Sequence, residues 1–209
     1  MREHSVELVI DGYLECATND RKAAYLLYEN GLYPLAIYHL QQYVEKMSKC
    51  FMLEFEKCSI KEVEKSHDIL EILKKEQIRM GVLDKKEEMK LIQWADELET
   101  LTSPNIDMFL GICDEFCVLG RTRLPDVIPG ITEEQLNETS RYYATVTALF
   151  VLTRQHTMST RYPAIKCDQR DFTEYNLSSG IVKLFPFLMK HTEFIEKLII
   201  EKLKIERGL

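Results

Sequence analysis

The amino-acid sequence predicts an all-α protein, an up-and-down antiparallel helical bundle. Three observations carry this. Apolar residues recur at helical spacing in several long segments, and no segment alternates with the period of a strand. The 209 residues include only 8 Gly and 6 Pro, which favours long helices over many turns. Where these breakers do occur, as in Asn30-Gly31, Pro34 and Ser103-Pro104, they fit helix stops and starts.

Taken in order, residues 4–29 form a first helix. Val6, Val9 or Ile10, Tyr13, Leu14, Ala17, Ala24, Leu27 and Tyr28 lie on its inner face, and Asn30-Gly31 ends it. A second helix spans about 33–56, with Pro34 in its first turn. Projected at 100° per residue, Ala36, Leu40, Tyr43, Val44, Met47, Phe51 and Phe55 make its apolar stripe. His39, Gln42, Glu45, Lys46 and Lys49 make a polar face. Lys57 to Lys65 reads as a charged connection, and Ser66 as the N-cap of a third helix over about 67–79, closed by Gly81.

Lys85 to Leu101 is amphipathic, with Leu91, Trp94, Ala95 and Leu98 in register. Ser103-Pro104 opens a helix that buries Ile106, Phe109, Leu110, Cys113, Phe116 and Cys117 and stops at Gly120, with 121–130 as a loop. Thr132 and Gln135 form a capping box. The helix after it runs to about Met158 and turns Leu136, Tyr143, Val146, Phe150 and Val151 inward. Residues 160–176 are loop-like, because Pro163 and the residue before it disfavour helix. A last helix, from about Ser178 to Glu206, contains Pro186 and buries Leu184, Leu188, Ile195, Leu198 and Ile199.

The formal net charge of −7 argues against a general DNA or RNA binder, while leaving room for one local basic groove. No apolar run approaches the ~18 residues of a membrane span, and the acidic N-terminal stretch is no signal peptide. Six scattered cysteines therefore read as reduced thiols in a cytoplasmic protein, mostly core residues. Cys113 and Cys117 share a helix face, but no further ligands stand near them to complete a metal site. No phosphate loop, no nucleophile elbow and no paired acidic motif occurs, so neither cofactor nor metal is expected.

The second helix also carries a resemblance. Tyr33, Ala36, Gln41, Gln42, Glu45, Lys46 and Lys49 match the pattern Y-x-x-A-x-x-x-x-Q-Q-x-x-E-K-x-x-K-A, with Cys50 in place of the final Ala. Two shorter elements follow in order, Ser66-His67-Asp68-Ile69-Leu70 and Ser159-Thr160-Arg161-Tyr162-Pro163. In these features the chain resembles the HEPN domain family (higher eukaryotes and prokaryotes nucleotide-binding) over roughly 10–78 and 140–205. The resemblance implies one domain spanning 1–209, with an insertion at about 84–131. It also implies a homodimer and a possible small nucleotidyltransferase partner, in the manner of toxin–antitoxin pairs.

HEPN ribonucleases that work without metal carry R-x(4–6)-H, in which the arginine stabilises phosphate charge and the histidine moves the proton. No Arg stands five to seven residues before His39, His67, His156 or His191, and His4 is too near the start. That places the chain with the non-catalytic branch and predicts no catalytic residues. The expected role is binding a nucleotide or other polyanion in a groove beside helix two. Its ligands would be His39, Gln42, Lys46 and Lys49, whose amide and ammonium donors suit phosphate. His67 and Arg161 join them by the resemblance, which places both at helix starts near the open end of the bundle. A metal-independent endoribonuclease with an atypical site, and a pure protein-interaction scaffold, are the two alternatives.

Overall fold

The computed structural model describes residues 5–54, 58–65, 81, 83–87, 89, 90, 93, 105–154 and 175–208, most of which are helical, with no strand among them. The helices are α1 (Val6–Glu29), α2 (Tyr33–Glu54), α3 (Ile60–Lys65), α4 (Ile106–Val127), α5 (Glu133–Arg154) and α6 (Gly180–Glu206). Ser5 caps α1 by accepting from the Leu8 N–H. Gly31, at φ 74°, turns the chain back into α2 in a left-handed conformation that a side chain would strain. The antiparallel α1–α2 pair results. The third helix expected at 67–79, the Leu91–Leu98 register, Phe55 and the loop through Arg161 lie outside the described residues.

α3 replaces part of the charged connection expected at 57–65. Ser59 and Glu62 form a reciprocal capping box there: Glu62 Oε2 accepts from the Ser59 N–H at 2.9 Å, and Ser59 Oγ from the Glu62 N–H at 3.4 Å. α4 also differs from expectation at both ends. Asn105, not Ser103, caps it, accepting from the Met108 N–H. It does not stop at Gly120 but continues through Pro125 to Val127. The glycine serves packing: a Cβ there would stand 2.8 Å from Ser140 Oγ and 3.2 Å from the Ser140 Cα on α5. Ile106 and Leu110, expected inside, are exposed, as is Val6. The Thr132–Gln135 capping box forms as expected.

α2 and α5 are the central helices. α5 is buried continuously from Tyr142 to Leu149, and Phe51 of α2 stacks on Tyr142 with ring centroids 4.2 Å apart. α6 closes the bundle, burying Leu184, Leu188, Ile195, Leu198 and Ile199. The buried Tyr43 hydroxyl donates to the Thr192 carbonyl at 2.7 Å, tying α2 to α6. Burial pushes the Tyr43 phenol up, well above its ordinary value. One continuous core joins α1, α2, α4, α5 and α6.

Two glycines of α4 should respond oppositely to alanine. Gly111 faces open space, so Gly111→Ala should raise stability by about 1 kcal/mol through helix propensity. Gly120→Ala gains the same propensity but meets the α5 backbone, and should lose about 1–2 kcal/mol net. Urea unfolding of both variants checks this; equal shifts would mean that α4 and α5 do not approach so closely.

Candidate functional site

The polar face of α2 is turned against α1. Ala17, Asp20 and Ala24 share the inner face of α1, and Asp20 stands there as a charge between two fully buried alanines. Its carboxylate meets two of the expected ligands at once. His39 Nδ1 lies 2.8 Å from Oδ1, and Lys46 Nζ donates to Oδ2 at 2.5 Å. Lys46 also donates to Gln42 Oε1 at 3.3 Å, and Gln42 Nε2 donates to Gln41 Oε1 at 2.7 Å and to Glu45 Oε2 at 3.3 Å.

Lys49 lies deeper. It is buried, its Nζ 2.7 Å from Glu45 Oε1, and it sits over the Tyr13 ring at 5.7 Å. A buried ammonium so paired is a structural element, because removing either partner strands the other charge in the core. His39, Gln42 and Lys46 are only half-buried and form the accessible part of the strip. Tyr38, one residue before His39, meets its ring edge-on at 5.1 Å. The structure thus brings His39, Gln42 and Lys46 together and withdraws Lys49, while His67 and Arg161 lie outside the described residues.

The electrostatics centre on Asp20. Burial raises its carboxyl, but the bonds from His39 and Lys46 more than offset this and hold it below the ordinary carboxylate range. Sequence reasoning missed Asp20, although a charged residue on the apolar stripe of α1 was the available signal. Among the described residues no group of three metal-binding side chains occurs. Cys113, with its thiol pushed up to about 12 by burial, packs as a core residue.

A second feature lies on the other side of α1. A cleft of about 690 Å³ runs between α1 and α6, where Tyr28 stacks on Phe185 at 4.5 Å. Tyr25, Leu26, Pro186 and Met189 line it with Lys22, Glu29 and Lys190. Arg21, also on its wall, pairs with Glu196 at 2.9 Å and Glu193 at 3.7 Å. Sequence reasoning gave no sign of this cleft, since its two walls are more than 150 residues apart in the chain.

A depressed carboxyl stabilises the fold above its unfolded pKa of about 4 and ceases to do so as pH falls through the lower folded value. Asp20→Asn should therefore cost about 1–2 kcal/mol at neutral pH. It should also flatten the loss of stability that the unsubstituted chain shows below about pH 4. Thermal melts between neutral and acid pH measure both effects.

No helix among the described residues is long and apolar enough to cross a membrane. No curated protein and no solved structure matches the chain. Residues 10–105, which hold α1 from Ile10 onward, α2, α3 and the whole His39–Asp20–Lys46 network, match the family model of the HEPN domain.

Proposed function

We propose that the chain is a non-catalytic HEPN-like module that binds a nucleotide or related polyanion at the accessible edge of α2. One observation carries this reading: Asp20 holds His39 and Lys46 side by side at a half-buried edge, with the Gln42 amide between them. Side chains already fixed in place lose little freedom when a phosphate arrives. The Lys46 ammonium, the His39 ring and the Gln42 amide offer an incoming phosphate oxygen hydrogen-bond donors at one edge. Lys49 and Glu45 support the strip from beneath. The segment 84–131 reads as an insertion in one HEPN-like domain, supported by Phe109, Ile112 and Phe116 of α4 joining the same core as α1 and α2.

The absence of R-x(4–6)-H from the sequence supports the non-catalytic reading. Incubation with structured RNA in the presence of EDTA tests it, since cleavage would replace a binding module with a metal-independent ribonuclease.

Calorimetric titration of ATP, GTP and inorganic tripolyphosphate tests the site. At least one should release heat. Lys46→Glu should weaken binding by about tenfold or more, whereas Lys183→Glu, an exposed change on α6, should not. No heat with any of the three would favour the pure interaction scaffold. Unchanged affinity in Lys46→Glu would remove this edge as the site.

A further inference from the structure

We infer that the cleft between α1 and α6 binds a small aromatic carboxylic acid that carries one negative charge and, at its other end, a hydrogen-bond donor. The recess of about 690 Å³ falls within the range of about 300–1,000 Å³ typical of small-molecule sites. Tyr28 and Phe185, stacked within 6° of parallel at 4.5 Å, line it together with Tyr25, Leu26, Pro186 and Met189. Ring surfaces and a methionine thioether favour a flat aromatic body over a flexible chain.

The charges are sorted along the cleft, and they identify the two ends of the ligand. Thr18 meets Glu196 and Tyr28 meets Phe185, so α6 runs antiparallel to α1. Lys22, six residues before Tyr28, and Lys190, five residues after Phe185, therefore stand at a similar level on opposite walls. Glu29 stands at the other end, next to the Tyr28–Phe185 stack. Seven residues of helix separate Lys22 from Glu29, which is about 10 Å along the axis. That is the span of a two-ring aromatic acid with substituents at both ends.

Lys22, Lys190 and Glu29 form no ion pair among the described residues, whereas Arg21 on the same wall is held by Glu196 at 2.9 Å and Glu193 at 3.7 Å. Two ammonium groups facing one another across an apolar recess suit a single carboxylate. Glu29 accepts from a hydroxyl or amine at the far end and repels a second anion there. The cleft thus selects a monoanion, whereas the α2 edge is read as a site for a polyanion. The two sites share no residue, so the two readings fail separately.

Fluorescence titration of the full chain with 6-hydroxy-2-naphthoate tests the inference, with 2,6-naphthalenedicarboxylate as the two-anion comparison. Saturable binding at one site per chain is expected, and the diacid should bind about fivefold more weakly. Lys22→Glu and Lys190→Glu should each weaken binding of the hydroxy acid about tenfold. Lys204→Glu, the same charge change far along α6, should not. Glu29→Lys should reverse the order, so that the diacid binds more tightly than the hydroxy acid. All four positions are exposed, and circular dichroism melts confirm that each variant is folded. Lys46→Glu should leave binding of the hydroxy acid unchanged. No saturable binding, equal affinity for the two acids in the unsubstituted chain, or undiminished affinity in both Lys22→Glu and Lys190→Glu would overturn the inference.

Discussion

The near-complete burial of α2 governs much of the rest of the structure. From Tyr43 to Leu53 this helix has a single half-buried residue, Lys46. A helix so enclosed cannot send its charged side chains to water, and each must find a partner within the bundle. Glu45 and Lys49 answer one another along the helix, and Lys46 crosses to Asp20. Asp20 in turn recruits His39. The polar strip thus acts first as a fastener between α1 and α2, and any ligand must bind to what the fastener leaves exposed.

Close approach at the other end of the core follows similar logic. α5 is buried over a long stretch, and its neighbour α4 must come near enough to cover it. Gly120 permits this, because the space a Cβ would need is filled by Ser140. α4 then reaches Val127, and Arg123 near its end holds Asp84 and Glu87 at 3.3 and 3.2 Å. These pairs and the one between Lys90 and Glu115 tie Asp84, Glu87 and Lys90 to α4; lying at the surface, each contributes little stability on its own.

The same principle separates the two faces of α1. Its inner side carries Asp20 and fastens α2, while its outer side keeps Tyr25 and Leu26 exposed. A helix that is apolar on its outer side as well as its inner one has contact surface left over after the bundle is complete.

The order of the long helices, the N-terminal cap at Thr132 and most of the inward-facing residues were legible in the sequence, because helix periodicity and capping are local. The strip His39, Gln42, Lys46 and Lys49 was legible too, as a face of one helix. Periodicity could not say whether that face meets water or another helix, since this depends on where α1 lies. Gly120 looked like a stop because glycine's conformational freedom is a local property, whereas its use in packing depends on α5. Asp20 and the cleft required tertiary structure for the same reason: each is made by residues from different helices. The sequence by itself determined where the long helices lie and which residues they offer, because periodicity is local; the packing decided which offers are taken up inside the bundle and which remain at its surface.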